Sequence, residues 1–228
     1  MPSWGIHLEI ANLLIKRISN IDKNLFIFGN ILPDINNGYV IKEISHNIKH
    51  KITHYEENKE FKNYKIFFDK YQDKFDDSIV LGYFCHLLTD FYFNDLTYSK
   101  KGMHDDSGKL IGINLNSGEN WLCAQEEARQ IKTNDFKIFS NYIYENIKLE
   151  KLKYDKEILE SSKIIDEINI VEEDVLKTIE YLNSHIEGKR KILEQSGCKC
   201  YKIFREDELK KHVDLCVDYI IGFLESKN

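Results

Sequence analysis

The spacing of apolar residues near the amino terminus predicts helices joined by short turns. Apolar side chains recur every three or four positions across residues 7–18, as in a helix with one buried face. A second apolar run, residues 25–32, must end at Pro33, because a proline disfavours helical geometry in the residue before it. Asp34 is therefore predicted at a helix exit or turn, and the sequence NNGY that follows is another turn signal.

The middle and the end of the chain continue this helical pattern. Aromatic residues on one side predict a helix over 58–74, and residues 76–92 have an acidic start followed by almost continuous apolar residues, which predicts the central buried helix. Residues 99–118 are rich in Gly, Lys, Asp and Asn and predict a long loop, a candidate for function. Three more amphipathic helices, without strand alternation, are predicted over 119–150, 166–195 and 206–227.

Composition supports one helical domain. The 228 residues are 42% hydrophobic and include only 2 prolines and 11 glycines, which excludes disordered and disulfide-scaffold classes. Sandwiches and barrels need more turn residues than this. We therefore expect an all-α fold, a single-domain multi-helix bundle that spans residues 1–228.

Charge, apolar runs and cysteines narrow the expected partners and location. The 32 Lys and Arg against 38 Asp and Glu give a formal net charge of -6, so duplex nucleic acid is not an expected partner. The longest apolar runs are too short for a transmembrane segment. The first residues lack a signal-peptide pattern, and the 5 cysteines are an odd, scattered set, so a cytoplasmic protein with reduced thiols is predicted. The oligomeric state is left open.

The most apolar predicted helix contains two polar residues that point to a metal. His86 and Asp90 lie four apart, so their side chains share one face. A buried carboxylate costs several kcal/mol unless it is paired or coordinated, and no Lys or Arg lies in that helix. A divalent metal is the simplest compensation, and a hydrogen-bonded His–Asp pair is the alternative.

Three further histidines recur at intervals of four: His46, His50 and His54. On a helix they would form one stripe of imidazoles. Lysines surround them, so a solvated basic face is the interpretation favoured for His46. His54 lies beside Ile52 and Tyr55 and is expected to point inward, while His50 remains a possible metal or substrate contact.

Two isolated residues complete a candidate ligand set. His7 lies at the start of the first helix, and Asp34 lies in the turn after Pro33. Imidazole and carboxylate are ligands that zinc accepts, and catalytic zinc sites gather ligands from distant elements while keeping a position open. The candidate ligands are then His7, Asp34, His54, His86 and Asp90.

The order of these residues resembles that of the zinc-dependent phospholipase C family and its relatives, the fungal zinc-dependent single-strand nucleases. The resemblance covers roughly the first 130 residues and rests on an ordered set of motifs. These motifs are Trp4-Gly5-x-His7, Gly29-x-x-x-Pro33-Asp34, His50-x-x-x-His54 and His86-x-x-x-Asp90. The resemblance implies an all-α fold and a cluster of zinc ions that hydrolyses phosphodiesters.

The resemblance also implies roles for the candidate ligands. Asp34, His54, His86 and Asp90 correspond to the ligands of one zinc ion, and Asp90 bridges to a second zinc that His7 also holds. Asp34 is in addition placed to orient or deprotonate the attacking water, which makes it the candidate catalytic residue.

Two departures from the family pattern reduce the expected zinc content. The family's second zinc uses the amine and carbonyl of an amino-terminal tryptophan, but Trp4 follows three other residues, so only its carbonyl or a water is left for that role. For the third zinc, His104 is the candidate ligand, and the next helix offers no histidine. Asp105, Asp106 and Glu126 remain possible metal or substrate contacts. Two zinc ions are expected.

The sequence thus predicts a zinc-dependent phosphoesterase that acts on a phosphodiester or phosphomonoester, either a small phosphoester or a phospholipid head group. One alternative is an HD-type phosphohydrolase, because His104 and Asp105 form a His-Asp doublet. Another is a non-catalytic helical protein that binds a metal or a partner, which the departures from the family pattern suggest.

Overall fold

The protein is mainly helical, as predicted, with one small sheet. The computed structural model describes residues 2–56, 63–188 and 200–226. The helices are α1 Trp4–Leu14, α2 Lys23–Gly29, α3 His50–Thr53, α4 Tyr64–Tyr71, α5 Ser78–Asn94, α6 Gln125–Asn146, α7 Lys156–Ser162, α8 Glu172–Ile186 and α9 Glu206–Glu225. The strands are β1 Gly102–His104, β2 Leu110–Asn114 and β3 Asn120–Leu122. Short 3-10 turns cover Leu32–Asp34 and Gln72–Lys74, and a π-helical turn covers Asp95–Lys100.

Helix α5 is the centre of the fold, as its apolar sequence predicts. Residues 78–90 are all buried, and α1, α2, α4 and α9 pack around the helix. The Asp77 side chain accepts hydrogen bonds from the backbone N–H groups of Ile79 and Val80, which fixes the start of α5. A helix buried on every side needs no amphipathic pattern, in agreement with its nearly continuous apolar sequence.

Two glycines bring α2 and α5 into close contact. A Cβ atom on Gly29 would lie 2.3 Å from the carbonyl oxygen of Ile79, and one on Gly82 would lie 2.3 Å from that of Phe26. No side chain fits at either position without moving the backbone of the neighbouring helix. This close approach brings the end of α2, at Asn30, beside the middle of α5.

The first helices differ from the prediction at their ends. Helix α1 covers Trp4–Leu14 rather than residues 7–18, because the backbone N–H of Ile6 already bonds to the carbonyl of Ser3. Helix α2 ends at Gly29, and Pro33 lies in the following 3-10 turn together with Asp34, which confirms the predicted turn. Within the predicted helix 58–74, α4 begins at Tyr64, and residues 58–62 lie outside the described residues.

The predicted loop over residues 99–118 is wrong. Residues 102–104 and 110–114 of that segment form the first two strands of an antiparallel sheet with strand order β1-β2-β3. Its polar residues form the turns between short strands: Gly108 and Gly118 have φ values of +78° and +87°, which glycine adopts readily. Because β3 occupies residues 120–122, the predicted helix 119–150 begins only at Gln125.

The last part of the chain folds back onto the first. Helix α8 begins at Glu172 rather than at residue 166, so an irregular segment precedes it. Helix α9 begins at Glu206 as predicted. Residues 189–195 and Lys227, in the predicted helices, lie outside the described residues. The carboxylate of Asp135 on α6 accepts backbone N–H groups from residues 202–204, which attaches the chain before α9 to α6.

In the described parts of the chain, none of the helices combines the length and the apolar composition that a membrane span requires.

Candidate metal centre

Five side chains from four separate elements converge at the middle of the molecule. They are His7 of α1, Asp34 of the 3-10 turn, His54 at the end of α3, and His86 and Asp90 of α5. Each is buried, with at most 7% of its surface exposed. The structure thus brings together all five candidate ligands of the sequence analysis.

His86 is oriented by the backbone of the neighbouring helix. Its Nδ1 atom lies 2.8 Å from the carbonyl oxygen of Asn30 and therefore carries the proton, because a carbonyl only accepts hydrogen bonds. The close packing of α2 on α5 makes this contact possible. His86 Nε2 is left to face the other candidate ligands. A backbone carbonyl that orients an imidazole in this way is typical of histidines that bind metals.

His54 is oriented in a similar way from its own helix. Its Nδ1 atom lies 3.2 Å from the carbonyl oxygen of His50 and 2.9 Å from Thr53 Oγ1. Its Nε2 atom lies 3.2 Å from His86 Nε2. Two acceptor nitrogens at this distance need either a shared proton or a cation beside them. Burial, assisted by His50, lowers the pKa of His54 to about 3, so this imidazole is neutral at neutral pH.

Asp90 faces the three imidazoles at distances longer than hydrogen bonds. Its Oδ1 atom lies 3.4 Å from His7 Nε2, and its Oδ2 atom lies 3.6 Å from both His54 Nε2 and His86 Nε2. Ligands about 2.0–2.2 Å from a tetrahedral zinc ion are themselves about 3.3–3.6 Å apart. The separations therefore fit ligands that share an ion.

Several buried atoms at the centre have no hydrogen-bond partner among the residues that the structure describes. Both ring nitrogens of His7 and the Oδ1 atom of Asp90 are in this state, although buried polar groups are nearly always paired. The His7 ring stacks on that of His86 with 4.0 Å between centroids. Burial, reinforced by His86, lowers the pKa of His7 and keeps it neutral. Neutral imidazoles and an unpaired carboxylate oxygen are a donor set that fits zinc.

The carboxylate of Asp34 is held on both oxygens. Trp4 Nε1 donates to Oδ2 over 2.9 Å, Asn37 Nδ2 donates to Oδ1 over 3.0 Å, and Oδ1 lies 3.5 Å from His54 Nε2. Burial alone raises the pKa of Asp34, but His86 and His54 outweigh it and lower the pKa, so Asp34 is ionised. The sequence did not predict that the Trp4 indole and Asn37 orient Asp34. Asn37 lies in a segment whose sequence indicates only a turn.

The five residues form two overlapping groups: His7, His86 and Asp90, and Asp34, His54 and His86. His86 belongs to both, but its Nδ1 atom is used by Asn30, so its single Nε2 atom serves one metal. Asp90 has two oxygens, one directed at His7 and one at His54 and His86. The carboxylate is therefore suited to bridge two ions.

Comparison with known proteins agrees with this geometry. The family model described as zinc dependent phospholipase C matches residues 6–158, about two thirds of the chain. The chain belongs to this family. Neither the curated proteins nor the solved structures include a significant match to it. Membership in the zinc-dependent phospholipase C family confirms the resemblance, and together with the His and Asp groups it supports a zinc-binding hydrolase.

The three histidines do not share one helix in this phospholipase C family member, and the solvated position favoured for His46 is confirmed. Helix α3 is a single turn, so His46 lies before it and is exposed. His50 is half-buried at the rim, where its ring stacks on that of His54 with 3.7 Å between centroids and its Nδ1 atom lies 3.5 Å from Glu56. His54 points inward, as predicted.

The remaining candidates of the zinc-dependent phospholipase C resemblance lie apart from the five converging residues. His104, Asp105 and Asp106 are exposed around the β1–β2 turn, where Asp105 accepts the backbone N–H of Lys109. Glu126 is exposed and pairs with an arginine on α6. Within the described residues, these four belong to neither group able to hold a metal. The exposed His104–Asp105 doublet therefore gives no support to an HD-type site.

Proposed function

We propose that the protein is a zinc-dependent phosphoesterase that hydrolyses a phosphodiester or phosphomonoester, either a small phosphoester or a phospholipid head group. The observation that carries the proposal is the set of five buried His and Asp side chains, whose unpaired atoms and separations suit zinc coordination. Membership in the zinc-dependent phospholipase C family supports the same chemistry.

The positions of the donor atoms suggest two zinc ions. Asp34 Oδ1, His54 Nε2, His86 Nε2 and Asp90 Oδ2 would hold one, and His7 Nε2 with Asp90 Oδ1 would hold the other. Bound zinc supplies a Lewis acid that stabilises charge on phosphoryl oxygens and lowers the pKa of water. The second set has fewer protein ligands, which leaves room for water and substrate.

Asp34 is the residue we assign to proton transfer. It is ionised, and the Trp4 indole and the Asn37 amide fix the plane of its carboxylate. An oriented carboxylate accepts a proton from the attacking water or aligns that water for attack. Oδ2 keeps a lone pair beside its bond from Trp4, which makes it the atom suited to receive the proton.

A second candidate function is metal binding without catalysis. The observation that favours it is the set of four protein donors around His54, because four ligands close the coordination of a structural zinc site. In that case zinc would stabilise the fold, and the protein would hydrolyse no phosphoester.

One experiment separates these functions. The protein is purified without chelator or affinity nickel, and zinc is measured by elemental analysis beside hydrolysis of p-nitrophenyl phosphodiesters and phosphomonoesters. We expect about two zinc ions in the wild type, none in the His86→Ala/Asp90→Ala double variant, and wild-type content in the control His104→Ala. Asp34→Asn should lower kcat by at least about 100-fold, the usual contribution of a general base.

Each other result counts against a stated part of the proposal. A wild type that holds zinc without hydrolysing either ester class supports the non-catalytic function. Unchanged hydrolysis in Asp34→Asn contradicts the role of that carboxylate. A folded, metal-free wild type contradicts the centre as a whole.

A further inference from the structure

The segment between α7 and α8, residues 163–171, contacts the chain beside two candidate ligands, Asp34 of the 3-10 turn and His54 at the end of α3. Asn169 forms two hydrogen bonds with Asn36, which lies two residues after Asp34. Asn36 Nδ2 donates to the backbone carbonyl of Asn169 over 2.7 Å, and the backbone N–H of Asn169 donates to Asn36 Oδ1 over 3.2 Å. Glu167 accepts a hydrogen bond from Tyr55, the residue after His54. This segment lies beyond residue 158, where the family match ends.

His54 is carried by a helix that is too short to be stable by itself. Helix α3 has four residues and ends with two backbone hydrogen bonds, from Tyr55 N–H to the carbonyl of Ile52 and from Glu56 N–H to that of Lys51. This ending requires a left-handed residue, and Tyr55 has a φ of +56°. Glycine is usual at such a position, because a side chain makes the conformation unfavourable. The side chain of Tyr55 must compensate for that cost.

The Tyr55 side chain is held firmly at its far end. The residue is buried, its ring lies edge-on to Phe67 with 5.6 Å between centroids, and its hydroxyl donates to Glu167 Oε2 over 2.5 Å. The same carboxylate accepts from the hydroxyl of Tyr71 over 2.9 Å and from Lys70 Nζ over 2.8 Å. A hydrogen bond to a charged acceptor is stronger than one between neutral groups.

We propose that the Tyr55–Glu167 hydrogen bond holds α3 in the position in which His54 points at the metal centre. Glu167 is then a positioning residue that acts on His54 through Tyr55. The inference rests on the proposed role of His54 as a metal ligand. The 163–171 segment then has a function in metal binding, because its Glu167 fixes the position of His54, which the short helix α3 cannot fix by itself.

The substitution Tyr55→Gly tests the proposal most directly. Glycine relieves the backbone strain at a φ of +56°, so a purely local role for Tyr55 predicts zinc affinity equal to that of the wild type. The proposal predicts a loss of zinc affinity of about 10-fold to 100-fold, the range measured for residues that orient metal ligands. Affinity is measured by competition with a chromogenic chelator. The visible spectrum of the Co²⁺-substituted protein reports the ligand geometry and should change as well.

Two conservative variants separate positioning from general stability. Tyr55→Phe keeps the buried ring and removes only the hydroxyl, and it tests the proposal even if Tyr55→Gly does not fold. Tyr71→Phe removes another hydroxyl from the same carboxylate, but Tyr71 lies on α4, which carries none of the candidate ligands. We expect both Phe variants to unfold at temperatures below that of the wild type, by similar amounts. Only Tyr55→Phe should lower zinc affinity and alter the Co²⁺ spectrum.

The possible failures are distinguishable. Wild-type zinc affinity and an unchanged Co²⁺ spectrum in Tyr55→Phe and Tyr55→Gly would overturn this inference and leave the metal centre in place. Equal loss of affinity in Tyr71→Phe would also overturn it, because the effect would then follow stability rather than the position of His54. A wild type that holds no metal overturns the proposed function itself.

Discussion

Helices α5 and α3 both contribute to the candidate centre, but they hold their side chains in different ways. Helix α5 has 17 residues, lies in the core and carries His86 and Asp90 one turn apart. Helix α3 has four residues, and contacts from Tyr83 and from the Tyr55–Glu167 pair fix its position. Regular secondary structure therefore sets the spacing of ligands within one helix. The position of a ligand on a separate element depends on hydrogen bonds between distant parts of the chain.

The largest effect is expected from disrupting the packing of α2 on α5. In Gly82→Ala the new methyl group would lie 2.3 Å from the carbonyl oxygen of Phe26, so α2 must move away. Overpacking of this kind costs about 1–3 kcal/mol in the free energy of unfolding. Zinc affinity should fall as well, because Asn30 moves with α2 and orients His86. Urea denaturation measures the first effect, and chelator competition measures the second.

The control for this substitution is Gly222→Ala on α9. A Cβ atom there meets no atom of the described residues within 4 Å, so the change should raise stability by up to about 1 kcal/mol through helix propensity alone. Equal urea midpoints for the two alanine variants would show that the close approach of α2 and α5 is not required.

An intermediate effect is expected where α5 supports α3. The hydroxyl of Tyr83 on α5 donates to the carbonyl oxygen of Thr53, the last residue of α3. Tyr83→Phe leaves that buried carbonyl without this donor and should lower the free energy of unfolding by about 1–2 kcal/mol. The control Tyr39→Phe alters a tyrosine that is 67% exposed and should change stability by less than about 0.5 kcal/mol. A loss in Tyr39→Phe as large as that in Tyr83→Phe would contradict the proposed link between the two helices.

The smallest effect is expected for the pH dependence of the stability that Glu167 contributes through its hydrogen bond from Tyr55. Burial raises the pKa of Glu167, but Lys70 and the hydroxyls of Tyr55 and Tyr71 outweigh it and lower the pKa below its ordinary value of 4.5. The ionised carboxylate thus stabilises the folded state above pH 4.5, and this contribution is lost as the pH falls through the lowered pKa. Since Glu167 is only half-buried, we expect the wild type to exceed Glu167→Gln by no more than about 1 kcal/mol at pH 7.

Urea denaturation of both proteins between pH 7 and pH 3 measures this difference, which should shrink at the acidic end. A difference that stays constant over the whole range would mean that packing, rather than the charge of Glu167, accounts for the stabilisation.

The mainly helical fold and the α5 pair were predictable because their signals are local. The sequence of α5 is apolar and contains no Lys or Arg that could pair with Asp90, so the sequence of this helix alone indicates a buried carboxylate that needs a partner. The inward direction of His54 is confirmed, but only part of its stated reason holds. Tyr55 is buried, whereas Ile52 is 44% exposed.

Other features depend on contacts that leave no local signal. Tyr55 and Glu167 are 112 residues apart, and the partner of His86 is a backbone carbonyl, which every residue has. The sheet was missed because β1 and β3 have three residues each, too few to show alternation among polar turn residues. Prediction from a single sequence is weakest where distant segments fix one another.

The hydrogen bond from the Trp4 indole to Asp34 also makes the centre accessible to spectroscopy. The chain has 2 tryptophans, and the other, Trp121, lies on the small sheet. Trp4 is buried and its N–H donates to a carboxylate of the candidate site, so we expect its fluorescence to respond to a change of charge there. The protein thus carries an intrinsic optical probe of its own centre, which needs no added label.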